Sequence, residues 1–497
     1  MTRLGPHALA YLAPHVLLPD YDRGKVTVGI VHIGVGAFHR SHEALYVDRL
    51  LASDPRWGIC GVGVRDADSG IRDALVAQDG LYTLTTVDPA GAEEARVIGS
   101  LVRHLHAPDD PEAVLAQMED PAVRIVSLTI TEGGYGIDDV TGEFSPADDA
   151  TRADMAGSSV PTSAFGLIAE ALRRRRDNGT VPFTVLSCDN VQHNGNVAKT
   201  ALLAVAQARD PELARWIARE VSFPNSMVDR ITPGTTDDTR RAVARDLGVE
   251  DRWPVRAESF LQWVLEDDFR SGRPDWEAAG VQLVEDVQPY ELMKLRLLNA
   301  SHQVMSYPAL LAGSTWVDEA CHDPQIVALL HGWMREARAT LSPVPGIDLN
   351  DYCTTLIERF GSEAVRDTLE RQVAFSSDRL PKFVVPVLAG RRTGALSHHG
   401  LFAVAAWSVW LAQALPTKGV GITDARLDVL LAGAAREESG EAGALLEIES
   451  IFGTLGHDSE AREAYWEHRT RIREHGVRSA LTALLTAGSP ATGIGPL

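Results

Sequence analysis

The chain has 497 residues, 45% hydrophobic and 23% charged, the make-up of a soluble globular protein too long for one ordinary core. Its formal charge of −21 argues against nucleic acid or an anionic membrane as a partner, because both would be repelled. The cysteines, Cys60, Cys188, Cys321 and Cys353, show no CxxC spacing, which fits a reducing cytoplasm and offers no zinc cluster.

In chain order, residues 1–25 predict an irregular arm, punctuated by Pro6, Pro14 and Pro19 and lacking an apolar signal core. The β-rich run from Val26 to Ile33 ends in Gly34-Val35-Gly36-Ala37-Phe38-His39-Arg40, followed by a helical pattern to Leu51. Strand, glycine turn and helix open a dinucleotide-binding unit: the glycines let backbone amides approach a pyrophosphate, and the helix N-terminus favours its charge. The full GxGxxG is not met, since His39 stands at the third glycine, and Arg40 is the candidate to supply a phosphate contact instead. A second strand, Gly58 to Val64, leads into Arg65-Asp66-Ala67-Asp68. A carboxylate there, Asp66 or Asp68, can accept from ribose hydroxyls and repel a 2′-phosphate, which favours NAD over NADP.

Further β-runs lie at Leu81 to Val87, Ala95 to Ile98, Arg124 to Ile130 and Phe183 to Ser187. The last two are nearly all apolar and β-branched, as in strands covered on both faces. Ser163 to Arg176 predicts a helix with Ser163 as N-cap, and Arg173 to Arg176 suit its C-terminal dipole. This alternation implies an α/β fold with a parallel, doubly wound sheet, whose ligands bind beyond the carboxyl ends of the strands. Thr129, Thr131, Glu132 and Asn190 all fall there. From about residue 286 helical patterns take over, so the expected division is a Rossmann-type nucleotide domain over 1–286 and a mainly helical domain over 287–497. Leu401 to Leu415 predicts a core helix, too short to span a bilayer.

The run from Glu291 to Ala312 predicts one helix, kinked near its end by Pro308. At about 100° per residue, Glu291, Lys294, Asn299 and His302 share less than half of its circumference, amid leucine and methionine. Such a set is either a satisfied polar seam between helices or a working site. Alcohol oxidation by a nicotinamide enzyme needs a base and donors for an alkoxide-like oxygen. A neutral Lys294 can be the base and Asn190 and Asn299 the donors, while His302 can orient a hydroxyl. Three rivals are weaker. Tyr290 and Lys294 match YxxxK, but far beyond the glycine turn and directly after Pro289; histidine and cysteine spacings offer no zinc set; and no GxSxG elbow is present.

The blocks IVHIGVGAFHRSH, LTITEGGY, SCDNVQHNGNVAK, FPNSMVDRITP, MKLRLLNASH, PVPGIDLNDY and RLPKF together resemble, in order, the mannitol dehydrogenase family of polyol-specific long-chain dehydrogenases. The resemblance covers nearly the whole chain. It implies a Rossmann-type domain, a helical domain and a cleft between them, with metal-independent chemistry. It makes Lys294 the general base, Asn190 and Asn299 the oxyanion hole, His302 a substrate-orienting residue and Glu291 part of a proton path. Arg371 and Arg379 match positions that contact substrate hydroxyls, and Asp68 matches the determinant for NAD. The chain departs from the pattern at Ala67, at Ala300, over residues 374–378 and at Arg379, where mannitol enzymes carry lysine. The expected reaction is NAD-dependent interconversion of a linear polyol and a ketose, D-mannitol and D-fructose first. The alternatives are keto-uronate (fructuronate) reduction, arabinitol or sorbitol oxidation, and a non-catalytic nucleotide sensor. A small-molecule polyol or ketose is the only partner these residues imply, and they leave the oligomeric state, monomer included, open.

Overall fold

The computed structural model describes residues 2–137, 142–146, 148–157, 160–390 and 395–487. It resolves two compact units, Met1–Gln288 and Pro289–Leu497.

The first unit is built on five strands: β1 (Val28–Ile33), β2 (Gly58–Gly63), β3 (Leu101–His106), β4 (Ile125–Leu128) and β5 (Thr184–Ser187). They lie in the order β3-β2-β1-β4-β5, all parallel. Strands β2, β4 and β5 are buried along their whole length, which accounts for their unbroken apolar and small-residue sequence. The strand order reverses between β1 and β4, and at such a switch point the loops leaving the carboxyl ends diverge and leave a crevice. Two short helices follow β1, α1 (Ala37–Ser41) and α2 (Glu43–Leu50). A longer one, α3 (Ala164–Asp177), is capped by Ser163, whose Oγ accepts from Gly166 N at 3.1 Å.

Three parts of this unit differ from the sequence reading. Strand β3 (LVRHLH) lies at one edge of the sheet and is only partly buried from Val102 to Leu105, so its sequence lacks the apolar run of its neighbours. The Leu81 and Ala95 runs do not join the main sheet. Tyr82–Val87 pairs antiparallel with Glu93–Ile98 because residues 88–92 are too short for a parallel crossover. Val255–Glu258 completes that three-stranded sheet, and Ser226–Asp229, Gln262–Glu266 and Gln282–Val284 form another. The arm is partly ordered: Thr2–Arg3 pairs with Val249–Glu250, and Leu4 and Ala8 are fully buried in a cluster with Leu81 and Leu247.

The second unit has no strand among its described residues. Its central helix is α6 (Ala300–Leu311), preceded by α5 (Gln288–Met293). Helix α6 continues through Pro308 to Leu311. Helix α7 (Leu349–Phe360) supplies a neighbour to the site described below. Helix α8 (His398–Gln413) is apolar nearly all round and correspondingly buried from Gly400 to Val409. No helix of the described residues is long and apolar enough to cross a membrane.

Candidate active site

The glycine turn after β1 follows from two local demands. Gly34 has φ +96°, and a Cβ there would collide with the Thr129 carbonyl, so only glycine fits. Its N–H donates to Val62 O at 3.0 Å, and Gly36 N–H returns to Gly34 O at 2.7 Å. A Cβ on Gly36 would project into open space, its nearest neighbour being Gly34 O at 3.9 Å. Glycine at this position therefore leaves room for a phosphate beside the N-terminus of α1, and the turn fits a dinucleotide. The side chains of Ile33, Val35 and His39 are buried, so the part these residues can play lies in the backbone, while Ala37 and Phe38 open the helix.

Arg40 corrects the expectation of a phosphate contact from its side chain. It is 1% exposed; its Nε donates to Gly36 O at 3.2 Å and its Nη1 to Trp253 O, and the guanidinium lies over the Tyr82 ring. It braces the turn from inside the unit. Beneath the turn, His32 and His39 stack with ring centroids 3.4 Å apart, and Glu43 Oε2 lies 2.9 Å from His32 Nδ1 and 3.2 Å from His39 Nδ1. These three side chains come within reach of a common ion. Parallel stacked rings, however, point their in-plane lone pairs side by side instead of at one point.

At the end of β2, Asp68 is committed locally: Oδ2 accepts from Val64 N and Arg65 N, both at 3.1 Å, and Oδ1 accepts from Arg65 Nη2 at 3.0 Å. Asp66 is exposed beside it. After β4, Thr129 Oγ1 donates to Gly34 O at 2.6 Å. Thr131 has φ +63° and ψ 163°, a region that a β-branched residue occupies only under constraint, and Glu132 opens the next turn. That constraint comes from Asp189, which sequence reasoning passed over. Its carboxylate accepts from Ile130 N and Thr131 N, each at 2.9 Å, and from Tyr135 Oη at 2.7 Å. Burial raises Asp189 above the usual carboxylate range, while the Tyr135 hydroxyl and the two backbone N–H groups oppose the rise. Asn190, the next residue, is exposed.

In the second unit Lys294 opens a π-helical turn, Lys294–Asn299, between α5 and α6, and Ala300 N–H donates to Leu295 O, five residues back. This corrects the uniform helix assumed above: a wider turn advances less than 100° per residue, so Asn299 and His302 are rotated relative to Lys294. Lys294 is 7% exposed and Glu291 5%. Asn299 Oδ1 and His302 Nδ1 are buried without a hydrogen-bond partner, the kind of vacancy that marks a ligand-facing group. The His302 ring packs on Phe360 of α7 with centroids 4.4 Å apart. Burial lowers His302 to about 4; Asp367 opposes this, whereas the positive charges of Arg371, Arg379 and Arg359 reinforce it. Near neutral pH His302 is thus an uncharged imidazole, with one donor and one acceptor. Arg371 is held by Asp367, with Nε to Oδ1 at 2.6 Å, and Arg379 Nη1 donates to Gln372 O at 2.8 Å and Arg371 O at 3.2 Å.

The structure therefore groups Glu291, Lys294, Asn299 and His302 on successive turns, with both predicted arginines in the electrostatic field of His302. Sequence reasoning missed Asp189 and the buried His32–Glu43 pair in the first unit, and in the second unit Phe360 beside His302 and Asp367 beside Arg371. Only Asp189, next to Asn190 at a strand end, stood where a signal could be read.

Two family models match the chain, the mannitol dehydrogenase Rossmann domain over residues 28–278 and the mannitol dehydrogenase C-terminal domain over residues 286–470. The chain is 43% identical to the mannitol 2-dehydrogenase of Phaeosphaeria nodorum, covering 88% of this chain and 78% of that one. It is 46% identical to the polyol:NADP oxidoreductase of Gluconobacter oxydans, over 76% and 78% of the two chains. Among solved structures it is similar to Pseudomonas fluorescens mannitol 2-dehydrogenase in ternary complex with NAD and D-mannitol, at 43% identity and a TM-score of 0.86, covering 98% of this chain and all of that one.

Proposed function

From the chain's membership of the mannitol dehydrogenase family, we propose that it is an NAD-dependent, metal-independent polyol dehydrogenase that interconverts D-mannitol and D-fructose. The observation that carries this reading is the buried Lys294 on a π turn, followed by the unpartnered Asn299 Oδ1 and His302 Nδ1. The likeness to a protein solved with NAD and D-mannitol supports the choice of substrate and cofactor. When bound, NAD supplies the acceptor for a hydride from the carbinol carbon. Lys294, as the general base, takes the hydroxyl proton, and Glu291 lies one turn away on the same helix to pass that proton on. Asn299 and Asn190 donate amide N–H groups to the oxygen as it gains alkoxide character. His302 orients a neighbouring hydroxyl, and Arg371 and Arg379 bind the distal end of the polyol. The four cysteines are free thiols, in keeping with a working place in a reducing cytoplasm.

A second reading concerns the cofactor. The similarity to a polyol:NADP oxidoreductase and the exposed guanidinium of Arg65, paired to Asp68, favour some use of NADP. The test is a rate panel on mannitol, arabinitol, sorbitol and fructuronate, run in both directions with each nucleotide and followed by NAD(P)H absorbance. Mannitol and NAD should give the highest kcat/KM. A preference for fructuronate would shift the assignment to keto-uronate reduction, and binding of nucleotide without turnover on any of the four substrates would sink the enzyme reading.

A further inference from the structure

The side chains beneath the glycine turn allow their protons to be counted. Thr129 has one hydroxyl proton, and at 2.6 Å it is given to Gly34 O. His32 Nε2, which lies 2.8 Å from Thr129 Oγ1 and 3.3 Å from Gly34 O, then faces only acceptors and must carry a proton. On the other side, Ser127 gives its proton to Glu43 Oε2 at 3.0 Å. His32 Nδ1, 2.8 Å from Ser127 Oγ and 2.9 Å from Glu43 Oε2, again faces only acceptors. Both ring nitrogens are therefore donors.

We propose that His32 is an imidazolium held by the Glu43 carboxylate, and that this buried ion pair is a positioning device that keeps the Gly34 carbonyl turned away from the cofactor. Gly34 lacks a side chain to resist rotation of the Gly34–Val35 peptide, and a carbonyl swung outward would set a negative dipole against the pyrophosphate. Three donors hold it inward: Gly36 N–H, the Thr129 hydroxyl and His32 Nε2–H. The pair is sealed from water, with His32, His39 and Glu43 each at most 1% exposed, so its charge is not screened. The neutral ring of His39, which burial lowers to about 3 with the help of the His32 charge, covers the imidazolium by stacking. Register serves the arrangement too, since His32 on β1 stands directly opposite Ser127 on β4.

This inference rests on the reading of the turn as the dinucleotide site, and two measurements separate them. Full-length protein labelled with 15N-histidine, its His32 signals assigned by their loss in His32→Gln, should show both His32 nitrogens protonated at neutral pH. A single neutral tautomer overturns the proposal. In Glu43→Gln, the neutral amide no longer sustains the imidazolium, so His32 gives up its Nδ1 proton and Nε2–H donates to Gly34 O as a neutral group in place of a charged one. NADH titrated by tryptophan fluorescence should then bind about five- to tenfold more weakly, the difference between a charge-assisted and a neutral hydrogen bond. KM for the nucleotide should move by that factor and kcat by less, with partial recovery in Glu43→Asp. Wild-type affinity in a folded Glu43→Gln overturns the positioning role. If that variant does not fold, the ring measurement on wild type decides. A wild-type protein that binds no nicotinamide nucleotide defeats the cofactor reading and with it the role given to the pair, whereas the protonation result stands by itself.

Discussion

Lys294 carries its amine on a four-carbon stem, and at 7% exposure the charged form is deprived of most of its hydration. A group placed at such a cost is expected to be used, and replacement by alanine tests its use directly. Lys294→Ala should lose turnover at neutral pH while still binding NADH; retained turnover would remove the lysine from the mechanism. Asn299→Ala should lower kcat by about 10²–10³, the usual worth of one oxyanion donor, with smaller change in KM. Thr131 offers a prediction of the opposite kind. Its φ of +63° suits glycine, so Thr131→Gly should raise the melting temperature slightly, by relief of about 1–3 kcal/mol less the added chain entropy. The same change should raise KM for the nucleotide, since the loop held by Asp189 gains freedom. Residue types at these positions were readable in the sequence, because Lys, Asn and His on an apolar helix stand out. Their partners were not, because Asp189 and Asp367 act through bonds to backbone and arginine that only folding brings within reach.

At the scale of elements, the π turn matters most. A single added residue in an otherwise α-helical run widens one turn and re-aims whatever follows it. The apolar pattern from Glu291 to Ala312 is continuous through it, so periodicity alone suggested one regular helix. Deleting Leu297 within the turn should restore α geometry across Lys294–Asn299 and rotate His302 with all of α6 relative to Lys294. The expected outcome is a folded protein by circular dichroism with kcat/KM lowered by at least about a hundredfold, as a misplacement near 1 Å can bring. Unchanged kinetics would show that the turn has no part in positioning. Similarly, the five strands of the main sheet divide by burial: β1, β2, β4 and β5 were legible as apolar runs, and the partly exposed β3 was not. Edge and antiparallel pairings depend on which neighbour a strand finds, and that information is not local.

For the whole molecule, the buried histidines set a direction for acid stability. Burial lowers His39 to about 3 and His104, His302 and His468 to about 4, below the ordinary value of about 6.5. Above that value both folded and unfolded chains hold these rings neutral, and they contribute no pH dependence. As pH falls below it, the unfolded chain takes up protons that the folded chain refuses, so stability declines from about pH 6.5 down to about 4. Glu43, held well below the usual carboxylate range by His32 and His39 in spite of burial, loses its contribution in the same direction as acid protonates it. Urea midpoints measured at pH 7.5 and 5.5 should differ, with the lower value at pH 5.5, and equal midpoints would contradict this. The sequence by itself determined the α/β class, the change to helices in the second half, the glycine turn and the family, because each is written in local periodicity or in contiguous residues. Tertiary structure alone decided that Arg40 turns inward, that Lys294 opens a π turn and that His32 and Glu43 meet. These depend on contacts between residues far apart in the chain, or on a competition between backbone geometries that differ by little in free energy, and neither leaves a mark on composition or spacing.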